Sequence, residues 1–183
     1  MKRNLILLLL PFIAFCACSE SKKSDTSEAG KIKTNKKESI LHRLPALYVQ
    51  DTTTVGSNLY TWVIDRKACD TLAVVTDEMG DRYADNVLKI SVKKNGVSLF
   101  SRTFRKTDFT HLLDKDFMKY AILDGCRFLD IHEGMVTFSL AVSYPDSDMS
   151  RPFKLNIGPD GSYMIVKNDD MEEDYEAEGN DGV

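Results

Sequence analysis

The sequence lacks the features of several common functional classes. Its longest apolar run, 5–15, has about eleven residues, whereas a helix needs roughly 20 to cross the hydrocarbon core of a membrane. It has no Cys-x-x-Cys or His-x-x-x-His spacing, and its three histidines, His42, His111 and His132, are far apart. We therefore predict no membrane-spanning helix, no zinc motif and no cofactor.

Clustered positive charge is lacking as well. The net charge is −4, yet the segment 41–167 carries sixteen bases and sixteen acids and is neutral. The excess negative charge lies in residues 168–183, which hold eight acids and no base. Nucleic-acid binding depends on clusters of Lys and Arg that neutralise phosphate groups. The expected partners therefore do not include a nucleic acid.

The N-terminus does contain the layout of a secretory signal. Lys2 and Arg3 precede the apolar run, and Ala17-Cys18 follows it. The segment resembles a lipobox, the signal for bacterial lipoprotein processing, in which a small residue precedes the cysteine that receives lipid. We predict a signal peptide over 1–17 and a lipid anchor on Cys18 that attaches the protein to a membrane. The alternative is a plain signal peptide that releases a soluble protein.

Composition divides the rest of the chain into three parts. Residues 18–40 are predicted to be the lipidated cysteine and a flexible linker, because Ser19–Glu38 is too polar to bury an apolar surface. Residues 168–183 are predicted to be an acidic disordered tail. The segment 41–167 is long enough for one hydrophobic core and is predicted to be a β-rich domain.

Most of this domain alternates between apolar and polar residues, which is typical of half-buried strands. The predicted strands are Leu59–Asp65, Leu72–Thr76, Leu88–Lys93, Val136–Val142, Phe153–Ile157 and Tyr163–Val166.

Two turn signals, Asn95-Gly96 and Asp160-Gly161, predict hairpins. In the first hairpin a two-residue loop places Ile90 opposite Ser101, whereas a bulged turn places it near Phe100.

One segment has helical spacing instead. Its apolar residues follow an N-cap signal at Thr107-Asp108, precede Gly125 and allow a break near Asp114; they are Phe109, Leu112, Leu113, Phe117 and Tyr120. We predict a mostly β (α+β) fold, an antiparallel sandwich or open barrel with this one amphipathic helix packed on it.

Five segments of the domain carry a family resemblance. They are Tyr60–Ile64, Asp77–Asn86 with its Gly80, Arg82 and Tyr83, the Asn95-Gly96 turn, Phe104–Phe109 with Lys106, and Ser143–Asp148. In this order the segments resemble lipoproteins of Bacteroidales-type bacteria known as domain of unknown function 4738. The resemblance implies an envelope lipoprotein and supplies no catalytic residues. The chain after Cys18 lacks the acidic cluster associated with surface export, which favours an outer-membrane protein facing the periplasm.

The cysteines allow two interpretations. Cys69 and Cys126 could form a disulfide in an oxidising compartment, or remain as separate buried thiols. Cys126 could also act as a nucleophile with His111 or His132, although no signature of a cysteine hydrolase surrounds it. We predict no catalytic residue.

Two further groups of side chains could bind a ligand. Two acidic loops, one with Asp77, Glu78, Asp81 and Asp85 and one with Asp146 and Asp148, could hold calcium, although Asp in such loops usually serves turn geometry. Tyr60 and Trp62, together with Tyr83 and Tyr144, could form an aromatic platform for sugar rings, although core packing is the alternative.

These observations favour a non-enzymatic, membrane-anchored binding or interaction module of the cell envelope. Its expected partners are the membrane, through the lipid, and an unidentified envelope protein or glycan. A calcium- or glycan-binding module is one alternative, and a Cys/His hydrolase is the other.

Overall fold

The computed structural model describes residues 40–168. The predicted signal peptide and Cys18 lie outside these described residues, as do nearly all of the linker and the acidic tail. Asn168, predicted as the first residue of the tail, is 3% exposed. Its backbone N–H donates to the carbonyl of Pro152 at 3.0 Å. The ordered domain therefore includes Asn168.

The described residues form eleven strands, one short 3₁₀ helix and one α-helix. In chain order the elements are β1 (Leu41–His42), β2 (Leu47–Val55), β3 (Asn58–Ala68), β4 (Val75–Thr76), β5 (Arg82–Tyr83), β6 (Asn86–Lys94), β7 (Val97–Phe104), the 3₁₀ helix Lys106–Phe109, α1 (Lys115–Tyr120), β8 (Ile122–His132), β9 (Met135–Ser143), β10 (Ser150–Ile157) and β11 (Tyr163–Lys167). None of the helices within 40–168 has the length and apolar character needed to span a membrane.

Two four-stranded antiparallel sheets make up most of the domain. One has the order β2-β3-β6-β7 and the other the order β11-β10-β9-β8, and a small third sheet has the order β1-β5-β4. The arrangement is sandwich-like and not a closed barrel, so the mostly β prediction is confirmed. Within each large sheet the register places both hairpin turns at one end, those of β2–β3 and β6–β7 in one sheet and those of β8–β9 and β10–β11 in the other. These ends coincide, because Gly134 in the β8–β9 turn lies close to the Tyr60 hydroxyl of β3. The longer loops and α1 lie at the opposite end.

The core lies between the inner faces of the two large sheets. Alternate residues of β6, β9 and β10 are fully or almost fully buried, as the period-two pattern predicts. Trp62 on β3 stacks on Phe128 of β8 with ring centroids 3.9 Å apart. At the other side of the core, the rings of Phe104 and Tyr163 meet edge to face at 6.0 Å. These aromatic contacts join the two sheets at both sides.

The Asn95-Gly96 hairpin has the predicted two-residue loop but not the predicted register. Lys94 pairs with Val97, and both turn residues have positive φ, as a tight hairpin requires. A bulge between Val92 and Lys93 then shifts the pairing, so that Ile90 lies opposite Arg102. Both predicted positions of Ile90 are therefore wrong. The extra residue in β7 lets Phe100 pair with Val92, and both side chains are buried.

The predicted amphipathic helix is divided in two. Its first part is the 3₁₀ helix Lys106–Phe109, and α1 begins only after Asp114, whose carboxylate accepts a hydrogen bond from the backbone N–H of Phe117 at 2.6 Å. The N-cap of the α-helix is thus Asp114 and not Thr107-Asp108. Phe109 and Phe117 are buried against the core, so the predicted apolar stripe packs as expected.

Only the last two residues of the predicted strand Leu72–Thr76 form a strand, and the first three are irregular. The N–H of Leu72 donates to the carbonyl of Cys69 at 3.1 Å, and only the two residues of β4 pair with a neighbour. The apolar run there was too short to distinguish a strand from an irregular loop, and Ala73 and Val74 are exposed.

Candidate functional site

A cleft of about 340 Å³ opens at the end of the domain opposite the hairpin turns. Loop 77–81, between β4 and β5, forms one wall, and loop 144–147, after β9, forms the other. The charged and aromatic residues that line it are Asp77, Glu78, Asp81, Asp146, Tyr83, Tyr120 and Tyr144. The cleft therefore combines the two acidic loops that are far apart in the sequence.

Loop 77–81 is shaped by its own aspartate. The carboxylate of Asp77 accepts hydrogen bonds from the N–H groups of Met79 and Asp81 at 2.9 and 2.8 Å. Gly80 has φ +90°, a conformation that side chains rarely adopt. This is the turn chemistry expected of Asp in loops. It leaves the side chains of Glu78 and Asp81 exposed at the cleft.

A buried tyrosine joins the two walls. The hydroxyl of Tyr83 donates to a carboxylate oxygen of Asp146 at 2.9 Å. The His42 ring of β1 stacks on the Tyr83 ring with centroids 5.2 Å apart. Asp146 has φ +52°, so this hydrogen bond helps to hold a backbone conformation that is uncommon outside glycine.

Helix α1 supports the aromatic side of the cleft. The ring of Tyr144 stacks on buried Phe117 at 4.8 Å and meets Tyr120 edge to face at 5.9 Å. Asp114, which caps α1, therefore also fixes the position of these rings. Tyr120 was predicted only as part of the helix stripe, and the sequence carried no signal that it faces a loop 24 residues further along the chain.

The lining of the cleft is negative. None of the described lining residues is basic. Beside the cleft, the ammonium of Lys119 donates to the Tyr120 hydroxyl at 2.8 Å. Burial and the nearby Glu78 carboxylate raise the pKa of Tyr144, so its hydroxyl stays protonated. Carboxylates beside tyrosine rings favour an ammonium or guanidinium group. The arrangement is suited to binding a positively charged group.

Titration of Tyr83 should detect its hydrogen bond to Asp146, which connects the two loops of the cleft. Burial, and then the hydrogen bond to Asp146, raise the pKa of Tyr83 to about 12. Because the folded state holds this proton more tightly than the unfolded state, its contribution to stability is present below the ordinary tyrosine pKa and is lost as the pH rises through about 12. Ultraviolet titration should show a phenolate transition near pH 12 that Tyr83→Phe removes. Asp146→Asn should move it to lower pH, and an unmoved transition would contradict the contact.

Asp85 does not belong to the acidic cleft. One of its carboxylate oxygens accepts from the N–H groups of Asn86 and Leu123 at 2.8 and 2.9 Å. The other lies 3.8 Å from the ammonium of Lys106. Within residues 40–168, no three His, Cys, Asp or Glu side chains are grouped so that they could hold a metal ion.

Of the two interpretations of Tyr60 and Trp62, the structure supports core packing and not a ligand-facing platform. Tyr60 is 2% exposed and Trp62 is 4% exposed, so both belong to the core. The alternation of β3 placed them correctly on one face but could not tell that this face is the inner one. Tyr83 and Tyr144, the other two members, do line the cleft.

Cys69 and Cys126 are free thiols, so of the two interpretations the structure has the separate thiols and not the disulfide. Burial raises the pKa of the Cys126 thiol to about 12, which disfavours the reactive thiolate. His111 and His132 are exposed, and within the described residues neither is hydrogen-bonded to Cys126. The structure does not bring together the pair that a Cys/His hydrolase would need.

Alkylation should distinguish Cys69 from Cys126 by the rates at which their thiols react. A hydrogen bond from the Thr71 side chain lowers the pKa of Cys69, whereas burial raises that of Cys126. We expect iodoacetamide to modify Cys69 at least about tenfold faster than Cys126, because only the thiolate reacts. Peptide mass spectrometry of a time course measures both rates in one sample, and faster modification of Cys126 would contradict this.

Comparison with known proteins identifies a family. The chain matches a family model described as Domain of unknown function (DUF4738) over residues 26–165. The search of curated proteins finds no significant match. The matched range includes both walls of the cleft and the Asp85–Lys106 pair.

Proposed function

The chain belongs to the family described as Domain of unknown function (DUF4738), and from its cleft we propose that it is a non-enzymatic binding module of the cell envelope. A lipid on Cys18 anchors it to a membrane, and the cleft captures a positively charged group of a partner. The partner we favour is an envelope protein that presents Lys or Arg side chains.

The anchor and the location are supported by the sequence. Lys2 and Arg3, the apolar run and Ala17-Cys18 follow the order of a lipoprotein signal. Several acyl chains on one residue make attachment nearly irreversible without a spanning helix. We place the domain at the outer membrane, facing the periplasm. In finer detail, the fold is an antiparallel sandwich with α1 packed against one end.

The observation that carries the binding function is the composition of the cleft. Four carboxylates line it, and no described lysine or arginine does. The hydroxyl of Tyr83 and the backbone N–H groups of Met79 and Asp81 already satisfy some of these carboxylates. Glu78 and the outer side of Asp81 remain exposed to a ligand.

Binding of a fluorescently labelled trilysine peptide tests this function. We expect Glu78→Gln with Asp81→Asn to weaken binding by about tenfold, or roughly 1.4 kcal/mol, and binding by the wild type to fall with added salt. The matched control is Asp130→Asn, an exposed acid on β8 outside the cleft. Equal affinity in all three proteins would show that the cleft is not the site.

Two further experiments distinguish the proposed function from a calcium-binding module and from a hydrolase. A calcium-dependent rise in melting temperature that the Glu78→Gln, Asp81→Asn protein lacks would favour a calcium module. An activity that is lost in Cys126→Ala without loss of fold would favour a hydrolase.

The lipid anchor has its own test. Metabolic labelling with an alkyne fatty acid should mark the wild type and not Cys18→Ala, and the Cys18→Ala protein should no longer fractionate with the membrane.

A further inference from the structure

The outer edge of β2 differs from the other three edges of the two large sheets. β2 pairs with β3 over nine residues without a register shift, and no strand within residues 40–168 pairs with its other side. By contrast, β8 has two register shifts, β11 has five residues, and β7 is bulged and contacted by the β10–β11 turn at Gly161. Bulges, short strands and covering loops protect a sheet edge against pairing with another chain. β2 has none of these among the described residues.

The side chains of β2 leave this edge accessible from both faces of the sheet. All of its residues except Leu47 and Thr53 are exposed. Its sequence, Leu-Tyr-Val-Gln-Asp-Thr-Thr-Thr-Val, contains five β-branched residues, no proline and a single charge. These residue types favour pairing with a further strand.

The backbone groups of alternate β2 residues point outward. The carbonyl of Leu59 accepts from the N–H of Asn95 at 2.7 Å, and the N–H of Leu59 donates to the Asn95 side chain at 2.8 Å. Both backbone groups of Leu59 therefore face away from β2, where its partner is Thr54. Bonded and non-bonded pairs alternate in an antiparallel ladder. The β2 residues that present their N–H and C=O groups to the outer edge are therefore Tyr48, Gln50, Thr52 and Thr54.

Asp51 gives the edge a negative charge. It lies opposite buried Trp62, so its side chain is on the inner face of the sheet. Its carboxylate accepts a hydrogen bond at 2.7 Å from the N–H of Thr52, one of the outward groups that an added strand would use. A second copy aligned along all nine residues would bring its own Asp51 opposite this one, and like charges directly opposite destabilise a strand pair. Asp51 therefore disfavours pairing of β2 with itself.

We infer that the outer edge of β2 binds an extended segment of a partner protein, which adds an antiparallel fifth strand to this sheet and places a Lys or Arg side chain opposite Asp51. A main-chain carbonyl of the segment accepts from the N–H of Thr52, and the released carboxylate pairs with the cation. On the same face, β-branched side chains of the segment contact Val49 and Thr53. Asp51 thus repels a copy of β2 and attracts a cationic strand, which makes it a specificity residue. The inference does not depend on the proposed function, because no residue of β2 lines the cleft.

A charge exchange tests the contact with Asp51. The probes are the labelled peptide Val-Thr-Val-Thr-Lys-Thr-Val-Thr-Val and the same peptide with Glu at its centre, and fluorescence anisotropy measures their binding to the full-length protein. We expect the wild type to bind the Lys peptide at least about fivefold more tightly than the Glu peptide, and Asp51→Lys to reverse the preference. Asp130→Lys, the matched control on β8, should keep the preference of the wild type. An unchanged preference in Asp51→Lys, an equal change in Asp130→Lys, or no binding of the Lys peptide would overturn the inference.

The cleft variant separates this inference from the proposed function. Glu78→Gln with Asp81→Asn should bind the Lys peptide as the wild type does, whereas Asp51→Lys should bind the trilysine peptide as the wild type does. Loss of Lys-peptide binding in the cleft variant would overturn strand addition at β2 and leave the cleft as the site.

Methylation of the peptide backbone tests strand addition without altering the protein. With the Lys opposite Asp51, the threonines of the peptide lie opposite the outward residues of β2, so their amides face the edge. N-methylation of the two threonines beside the Lys should weaken binding at least about tenfold, because it removes two donors and adds bulk at the edge. N-methylation of the two valines nearest to the Lys, whose amides face away, should weaken it less than about twofold. Equal effects of the two modifications would overturn the inference.

Hydrogen exchange followed by NMR shows whether the edge is open in the protein alone. We expect the amides of Tyr48, Gln50 and Thr54 to exchange at least about tenfold faster than those of Val49 and Asp51, which face β3, and to slow when the Lys peptide is bound. Slow exchange of the outward amides at every protein concentration would mean that another segment of the same chain covers the edge. Slowing with rising protein concentration would mean that a second copy covers it. Either result would overturn the inference.

Discussion

Replacing Asp85 with alanine is expected to lower the free energy of unfolding by about 3–5 kcal/mol, the usual cost of removing one partner of a buried ion pair. The side chains of Asp85 and Lys106 are 8% and 13% exposed. The substitution leaves the Lys106 ammonium without a counter-charge. It also leaves the N–H groups of Asn86 and Leu123 without their carboxylate acceptor. Urea denaturation followed by circular dichroism measures the change.

The loss of unfolding free energy is expected to be large because the ammonium of Lys106 contacts both Asp85 and the end of α1. Its ammonium donates to the carbonyls of Met118 and Ala121, at the end of α1. Burial nevertheless lowers the pKa of Lys106, although Asp85 acts in the opposite direction, so on balance the site disfavours the charged form relative to water. The charge therefore depends on Asp85, which lies between β5 and β6, and on these carbonyls.

Matched variants show whether the Asp85–Lys106 ion pair accounts for the loss of unfolding free energy. Asp130→Ala, an exposed substitution on β8, should change the unfolding free energy by no more than about 0.5 kcal/mol. The double variant Asp85→Ala, Lys106→Met should lose less than the sum of the two single losses, because neither charge is left alone. Additive losses, or a cost for Asp85→Ala no greater than that for Asp130→Ala, would contradict the role of the pair.

The local pattern of the sequence was sufficient for several of the strands and for one turn. The alternation of Leu88, Ile90 and Val92 predicts a half-buried strand, and all three residues are buried on β6. Asn95-Gly96 predicts a tight turn because it supplies two positive φ angles. These features depend on residues within a few positions of each other, so one sequence can reveal them.

The register and the cleft depend on contacts that no local pattern encodes. The bulge between Val92 and Lys93 forms because Phe100 packs into a core that is built largely by other strands. Asp81 and Asp85 read alike in the sequence, yet one is exposed at the cleft and the other is buried beside Lys106. The meeting of Tyr83 with Asp146 spans 63 residues. The sequence could therefore supply the candidate residues of the site but not their partners.

Trp62→Ala is expected to lower the free energy of unfolding by about 3–5 kcal/mol, the range for truncating a large buried aromatic side chain. Trp62 lies on β3, is 4% exposed and stacks on Phe128 at 3.9 Å. Its loss would leave a cavity between the two large sheets at the side where β3 meets β8. The midpoint of urea unfolding should fall with little change in slope.

Trp62→Phe should cost less than half as much, for a reason specific to this site. The indole N–H of Trp62 is buried and has no hydrogen-bond partner among the described residues. Replacing the indole with a phenyl ring removes that unsatisfied donor and keeps an aromatic ring against Phe128. Tyr48→Ala on β2 is the control, since Tyr48 is 65% exposed and its truncation should cost no more than about 0.5 kcal/mol. If Trp62 instead faced a ligand, Trp62→Ala would leave the unfolding free energy close to that of the Tyr48 variant and would weaken only binding.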